Sequence, residues 1–310
     1  MFRISLTNTP NQTADNPIEL YLEDIDVKPN SKRIYRRQIM QFVDYLNKRE
    51  ILEPTKTTIQ EYKQHLIDEG KAAITISAYI VVLKAMYKWF AQNGICKDIT
   101  VGVKLLKKSS MQKKDALTPE QTKKLLNSFD TNTEQGLRDF TLINTMIHTG
   151  ARAIELHRAN IGDIQQIGDH WVLFIQGKGC DSKEEILVLT ESTLKVIRDY
   201  LVTRPDAKPS DPLFASISDR NNGNRLSTRT ISKVCKDSLR KIGLDSIRLT
   251  GHSLRHTAIT LALLGGSTME QVQAMSRHKD IKILQMYAHH VDRIKQAPEN
   301  SIDDILGKVA

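Results

Sequence analysis

The sequence predicts two domains, an all-α N-terminal bundle and a mixed α/β domain that is mainly helical and carries a small antiparallel sheet. Three observations support this prediction. The 310 residues are enough for two ordinary domains. Apolar residues recur at helical spacing in the first third, whereas two β-rich runs flank a glycine-containing turn in the second half. A lysine-rich stretch of linker composition lies between the two parts.

The first domain is predicted to span residues 17–103 and to contain about four helices. Two of them have apolar stripes at helical spacing, with basic side chains on the opposite face. The first stripe comprises Tyr35, Ile39, Phe42, Val43 and Leu46, and the second, within residues 75–92, comprises Ile76, Ile80, Leu83, Tyr87 and Phe90. The basic side chains are Lys32, Arg33, Arg36, Arg37, Lys84 and Lys88.

The predicted linker is residues 104–117, of which residues 104–114 contain five lysines and two serines and no acidic residue. Its charge is suited to lying along a polyanion, with Lys107 and Lys108 as candidate contacts. The second domain, residues 118–295, begins where Thr118 can cap a helix, Pro119 can occupy its first turn and Gln121 can close a capping box.

Further elements of the second domain follow from the same kinds of pattern. Residues 170–176 and 185–189 are β-rich and flank residues 177–182, which predicts a hairpin. A helix ending near His148 precedes the hairpin, and predicted helices follow it at 191–202, at 228–242 and between 252 and 287. The tail, residues 296–310, has a short amphipathic pattern.

The composition favours a polyanionic partner, because 45 Lys and Arg against 36 Asp and Glu give a net charge of +9. The three cysteines are widely spaced and form neither a disulfide framework nor a zinc pattern, which suits a reducing cytosol. We find no apolar run approaching the ~20 residues of a membrane span and no signal peptide. We therefore expect a cytoplasmic protein without a membrane segment.

Five polar residues of the second half form a set with a clear chemical use: Arg152, Lys178, His252, Arg255 and Tyr287. Cleaving a phosphodiester without a metal requires a nucleophile, an acid for the leaving oxygen, and cations for the charge that builds on the phosphoryl oxygens. Arginine suits the last task because guanidinium stays protonated and donates two parallel hydrogen bonds to phosphate. A tyrosine hydroxyl can be the nucleophile.

These residues occur in ordered motifs: Arg152 in residues 149–156 (TGARAIEL), His252 and Arg255 in residues 251–256 (GHSLRH), and Tyr287 nine residues after His278. The set resembles the tyrosine recombinase (phage integrase) family, and the length resembles its simple two-domain Xer-type, integron-type and transposon resolvase members. The resemblance implies that Tyr287 is the nucleophile and that Arg152 and Arg255 clamp the phosphate. It makes His252 an aid to proton transfer with the nucleophile.

The resemblance also implies that His278 donates a hydrogen bond to the scissile phosphate and that Lys178 is the general acid, with Lys183 as a rival. Glu155 lies three residues after Arg152 and is expected to orient it or a neighbouring donor. The family pattern Leu-Gly-His is Ser276-Arg277-His278 in this chain. We expect this added cation, Arg277, to contact the DNA backbone.

His256 is expected to be a core or supporting histidine. A zinc site at His252 and His256 is disfavoured, because the sequence offers no clear third ligand.

By this resemblance the chain is a site-specific DNA recombinase that cleaves and rejoins double-stranded DNA through a 3′-phosphotyrosyl intermediate and a Holliday junction. It would act as a tetramer in a prokaryotic cytoplasm, with accessory proteins in some systems and without cofactor or metal, in integration, excision or resolution. Residues 17–103 would be its core-binding domain, and the tail would dock on its own domain or on a neighbouring protomer. The alternatives are a type IB topoisomerase, which religates the same strand, and a non-catalytic DNA-binding protein of the same fold.

Overall fold

The computed structural model describes residues 16–107, 115–177, 180–278, 280–282, 284–285 and 287. Within these residues the backbone forms eleven α-helices and three strands. The chain divides into two compact units, Met1–Met111 and Gln112–Ala310. The first unit is helical, and the second is mainly helical with one small antiparallel sheet, so the predicted fold class is confirmed.

Four helices form the first unit, and their apolar faces meet in one core. They are α1 (Pro17–Asp24), α2 (Pro29–Lys48), α3 (Lys56–Asp68) and α4 (Ala73–Gln92). Both predicted stripes face this core, with only Tyr35 left partly buried at its edge. Aromatic rings fill its centre, where Phe42 and Tyr62 lie 5.0 Å apart between centroids, a spacing that favours tilted ring packing.

The helix α4 corrects the expectation that no apolar run in the chain approaches the length of a membrane span. Among the described residues it is long and apolar enough to cross a membrane by length and composition, with a mean hydropathy of 1.3. Half of it is buried within the protein, however, and it carries Ile80, Leu83 and Phe90 at the centre of the first core. A core helix of a small bundle is apolar for this reason.

The second unit begins with the predicted capping box, in which Thr118 Oγ1 accepts a hydrogen bond from Gln121 N at 3.1 Å and Gln121 Oε1 accepts one from Thr118 N at 3.0 Å. The predicted helix ending near His148 and the predicted helices at 191–202 and 228–242 are confirmed. The helices of this unit are α5 (Pro119–Leu126), α6 (Glu134–Thr149), α7 (Ala153–Arg158), α8 (Glu191–Val202), α9 (Thr228–Lys241), α10 (Gly251–Leu264) and α11 (Met269–Ser276).

The sheet contains the two predicted strands and a third that the sequence did not predict. The strands are β1 (Ile164–Ile167), β2 (His170–Ile175) and β3 (Glu185–Leu189), in the order β1-β2-β3 with both pairs antiparallel. Ile175 at the end of β2 pairs with Glu185 at the start of β3, which sets the register of the predicted hairpin. Residues 178 and 179 lie outside the described residues.

Helices α6 and α10 pack together at the centre of the second core, where Leu142, Met146 and Leu254 are buried. The end of α6 is sharp because Gly150 takes a left-handed conformation with φ 62° and ψ 24°. The turn that follows brings Arg152 to the start of α7. The carbonyl of Gly150 accepts a hydrogen bond from Arg255 Nη1 of α10 at 2.5 Å.

We predict that Gly150→Ala destabilises the second unit by roughly 1 kcal/mol, because a residue with a Cβ is strained at positive φ. An added Cβ would make only ordinary contacts, the shortest at 3.7 Å to Ala258 Cβ, so the backbone conformation sets the cost. Gly150→Asn should lose less, because asparagine tolerates this conformation better. Urea unfolding followed by Trp171 fluorescence in a Trp89→Phe background would measure both, since the chain has only these two tryptophans. Equal losses for the two variants would contradict this explanation.

Candidate active site

Arg152 stands at the start of α7, immediately after the turn made by Gly150 and Ala151. Its side chain is partly exposed. Nη1 donates to Glu155 Oε1 at 2.6 Å, and the backbone N of Arg152 donates to Glu155 Oε2 at 2.7 Å. One carboxylate therefore caps the helix and holds the guanidinium of the residue that precedes it.

Glu155 is completely buried and binds a second guanidinium. Its Oε2 accepts a hydrogen bond from Arg277 Nη2 at 2.8 Å. A buried carboxylate is unfavourable unless it is paired and hydrogen-bonded. Two arginines from segments far apart in the sequence meet this requirement together, so Glu155 ties α7 to the end of α11.

Arg255 projects from α10 and is 5% exposed. Nη1 donates to the carbonyl of Gly150, and Nη2 donates to the carbonyl of Ser276. Burial, together with the nearby Arg152 and Arg277, lowers the pKa of Arg255 to about 9. The guanidinium is thus held rigidly in surroundings that carry surplus positive charge.

Arg152 and Arg255 open onto the same cavity of about 370 Å³, which lies at the N-terminal end of α10. The exposed His252, in the first turn of α10, contributes to its wall. A helix N-terminus attracts anions because its first N–H groups have no partners within the helix. The other residues that line the cavity are Ala151, Ala153, Ser232, Lys236, Thr250 and Gly251.

His278 follows Arg277, the residue that ends α11, and lies beside this group. Its Nδ1 is 2.8 Å from Ser276 Oγ, and its carbonyl accepts a hydrogen bond from Gln273 Nε2 at 3.0 Å. Burial lowers the pKa of His278 to about 4, and Arg255, Arg152, His256 and Arg277 contribute in that order. The imidazole is therefore neutral at pH 7 in the protein alone.

The side chain of Arg277 is buried, whereas the sequence led us to expect an exposed side chain in contact with the DNA backbone. The expected contact with the DNA backbone needs an exposed cation, but the side chain is 9% exposed and points inward at Glu155. Burial lowers the pKa of Arg277, while Glu155 raises it and Arg152 lowers it further. Arg277 is buried because its guanidinium pairs with the buried carboxylate of Glu155. No pattern in the sequence predicts this contact between distant segments.

Tyr287 is 4% exposed and packs against Ile259, Leu263, Val272 and Leu284. Its hydroxyl forms a hydrogen bond with Nδ1 of His256, and the two rings are stacked with centroids 5.3 Å apart. The histidine that contacts the phenol is thus His256, whereas the family resemblance implied that His252 aids proton transfer with the nucleophile. The sequence offered one indication of a role for His256, because this histidine directly follows Arg255 and lies one helical turn after His252.

The predicted general acid, Lys178, lies outside the described residues. Its rival Lys183 forms an ion pair with Asp163, in the short 3₁₀ helix Ile161–Asp163. At the root of the hairpin the carbonyl of Gly177 accepts a hydrogen bond from Arg158 Nη1 at 3.2 Å. Within the described residues, no three His, Cys, Asp or Glu side chains lie close enough together to hold a metal ion.

The basic residues predicted to contact DNA in the first unit lie at its surface. Arg33 and Arg37 of α2 and Lys88 of α4 are exposed, as is Lys107, while Lys32 and Lys84 are partly buried. Arg36 forms an ion pair with Glu19 of α1, so part of its charge is already neutralised. Lys108 and the tail, residues 296–310, lie outside the described residues.

Comparison with known families gives two matches. The phage integrase family matches residues 115–293, and the N-terminal SAM-like domain of phage integrases matches residues 18–94.

Three relatives with similar sequences are bacterial tyrosine recombinases. A tyrosine recombinase of Synechococcus elongatus is 28% identical over 283 residues, covering 87% of each chain. The tyrosine recombinase XerC of Corynebacterium glutamicum is 30% identical over 233 residues, covering 75% of this chain and 73% of that protein. The tyrosine recombinase XerD of Staphylococcus aureus is 29% identical over 286 residues, covering 88% of this chain and 93% of that protein.

Solved structures share the fold at lower identity. The XerH site-specific recombinase bound to a palindromic difH substrate superposes with a TM-score of 0.71 at 18% identity, covering 88% of this chain and 79% of that chain. A lambda integrase dimer bound to a core site superposes with a TM-score of 0.67 at 17% identity, covering 88% and 76%.

We predict that protonation of His278 destabilises the fold on acidification. The folded protein binds this proton only near pH 4, whereas the unfolded chain binds it near the ordinary value of 6.5. The unfolded state therefore holds more protons in this window, and the contribution of His278 to stability is lost as the pH falls from about 6.5 to about 4. Urea unfolding at several pH values should give a shallower decline for His278→Gln than for the wild type. Parallel declines would contradict the lowered pKa.

Proposed function

Because the chain belongs to the phage integrase family and is a tyrosine site-specific recombinase, we propose that it cleaves and rejoins DNA through a 3′-phosphotyrosyl link to Tyr287. The observation that carries this proposal is the contact between the Tyr287 hydroxyl and His256. His256 is the next residue after Arg255, whose guanidinium lines the same cavity as Arg152. A nucleophile, a proton acceptor and phosphate-binding cations thus come from neighbouring residues.

The cavity at the N-terminus of α10 holds the scissile phosphate. Arg152 and Arg255 donate to its non-bridging oxygens, and His278 adds a third donor. An anion bound there offsets the surplus positive charge that, in addition to burial, lowers the pKa of Arg255 and of His278. Donors aimed at charge that develops in the transition state each contribute roughly 3–4 kcal/mol.

Cleavage begins when the Tyr287 oxygen attacks phosphorus and its proton passes to Nδ1 of His256. An isolated phenol has a pKa of about 10, so a neighbouring acceptor is needed at neutral pH. The new bond joins the tyrosyl oxygen to phosphorus while the bond to the 5′-oxygen breaks. That oxygen takes a proton from a lysine, for which we propose Lys178, because Lys183 is engaged by Asp163.

Rejoining reverses these steps with the 5′-hydroxyl of a partner strand. The phosphotyrosyl link conserves the energy of the phosphodiester, so the reaction needs no external energy source. Two such exchanges through a Holliday junction in a homotetramer complete recombination on double-stranded DNA. The XerH and lambda integrase structures, each bound to DNA, support double-stranded DNA as the partner.

We assign the two parts of the chain accordingly. Residues 17–103 form the core-binding domain, with Lys32, Arg33, Arg36, Arg37, Lys84 and Lys88 as phosphate contacts. Residues 104–117 form a basic linker with contacts at Lys107 and Lys108, and residues 118–295 form the catalytic domain.

We predict that Tyr287→Phe abolishes covalent attachment but not DNA binding, because only the nucleophilic oxygen is removed. Purified wild type and variant would be mixed with nicked suicide duplexes tiled across the DNA that flanks the gene, in EDTA, and separated on denaturing gels. A protein–DNA adduct in the wild type alone is expected.

Adducts with both proteins would mean that another residue is the nucleophile. If the wild type binds these duplexes tightly and forms no adduct with any of them, the proposed chemistry is wrong. If adducts form but labelled strands always return to their original partner, the enzyme is a topoisomerase of this fold.

We predict that His256→Gln slows adduct formation by about 10²–10⁴-fold, the usual contribution of a general base. Glutamine can accept the hydrogen bond of Tyr287 but cannot take its proton. Duplex affinity should stay near the wild-type value, and added imidazole should restore part of the rate in His256→Gly. His170→Gln, at an exposed position in β2, is the matched control. A wild-type rate for His256→Gln would return the role to His252.

A further inference from the structure

Arg277 adopts a backbone conformation that is unfavourable for arginine. It ends α11 with φ 56° and ψ 40°, in the left-handed region. Among the described residues the only other non-glycine residue at positive φ is Glu50, which is exposed after the end of α2. Glycine takes this conformation without strain, and it is the residue that the family pattern leads us to expect here. A strained residue persists where surrounding contacts hold it.

The side chain of Arg277 makes such contacts with α7, with β3 and with the end of its own helix, α11. Nη2 donates to Glu155 Oε2 at 2.8 Å, and Nη1 donates to the carbonyl of Met275 at 2.6 Å. Nε lies 3.4 Å from Glu185 Oε2, within ion-pair distance. The planar guanidinium can face two carboxylates at once, which the single ammonium of lysine does less well.

Glu155 contacts one residue of the proposed cleavage site, and Glu185 contacts the residue that precedes another. Glu155 holds Arg152 through Nη1 at 2.6 Å. Glu185 begins β3 at the root of the hairpin and packs against Gly177, where an added Cβ would lie 2.9 Å from Oε2. Gly177 immediately precedes Lys178 in the sequence. Arg277 itself immediately precedes His278.

We propose that Arg277 is a positioning residue that joins Arg152, the root of the Lys178 hairpin and the His278 turn into one unit. The inference rests on the proposed function only in that these groups are the cleavage machinery. A glycine at position 277 would give the same turn at lower backbone cost. The benefit of arginine therefore lies in its bridge between Glu155 and Glu185.

Substitution of Arg277 by glycine distinguishes the effect of the side-chain bridge from the effect of the left-handed turn. Arg277→Gly relieves the left-handed strain and removes the side chain, and Glu50→Gly relieves the same strain far from these contacts in the sequence. Adduct formation in a single turnover on the duplex that the wild type cleaves should slow about 10- to 100-fold for Arg277→Gly, the usual effect of losing hydrogen bonds to charged groups. Glu50→Gly should cleave at the wild-type rate.

Because Arg277 is buried, its substitution should leave DNA binding unchanged. Duplex affinity and its dependence on salt should match the wild type, because no phosphate contact is lost. Arg277→Lys should recover only part of the cleavage rate. Glu185→Gln, which leaves the turn untouched, should slow cleavage by itself and add little when combined with Arg277→Gly, since both remove the same link.

A second readout needs no cleavage. Burial is the main cause of the low pKa of His278, and Arg277 is the smallest of the charges that lower it further. The titration of His278, followed by NMR of the protein with ¹³C-labelled histidine and assigned with His278→Gln, should therefore move upward from about pH 4 by a small amount in Arg277→Gly, because one neighbouring cation is lost. Arg277→Lys should keep it low.

Three results would overturn the inference. The first is a wild-type cleavage rate in Arg277→Gly, and the second is a weaker salt dependence of its duplex binding, which would make Arg277 a phosphate contact. The third is an unchanged His278 titration in Arg277→Gly. If the wild type forms no adduct, the proposed function fails, and the titration alone then decides whether Arg277 acts on His278.

Discussion

The site is organised around one buried carboxylate. Glu155 has no exposed surface, caps the helix on which it lies, and binds the guanidinium groups of Arg152 and Arg277. A charge in this position is tolerated only with its partners in place, and removing one partner of a buried pair typically costs several kcal/mol. The placement of Arg152, and of the turn that carries His278, is therefore coupled to the stability of the second unit.

This arrangement leaves the site with more positive than negative charge. Within the described part of the site, three guanidinium groups face the two carboxylates Glu155 and Glu185. Burial is the main cause of the lowered pKa values of Arg255 and His278, and the neighbouring positive charges lower both further. The donors are already oriented before an anion arrives, so little reorganisation opposes its binding. In the proposed reaction, the scissile phosphate would supply the negative charge that offsets this surplus.

Much of the fold follows from local patterns in the sequence. The stripes of α2 and α4, the capping box at Thr118 and the strands β2 and β3 are all set by neighbouring residues, and all were predictable. The strand β1 was missed because its four residues, Ile164–Ile167, are mostly exposed and too few to display an alternation. In the site, motif spacing identified the candidate arginines and Tyr287. It could not reveal that His256 meets the Tyr287 hydroxyl or that Arg277 turns inward, because both depend on contacts between distant segments.

Arg255 binds the last carbonyls of two helices, Gly150 at the end of α6 and Ser276 at the end of α11. Such carbonyls lack partners within their own helices and carry partial negative charge. The same guanidinium that faces the cavity therefore also fastens the ends of two helices. Loss of activity on substitution of Arg255 would mix a structural defect with a loss of binding. Substitution of Arg152 carries a different structural cost, because it would leave the fully buried carboxylate of Glu155 with one partner fewer.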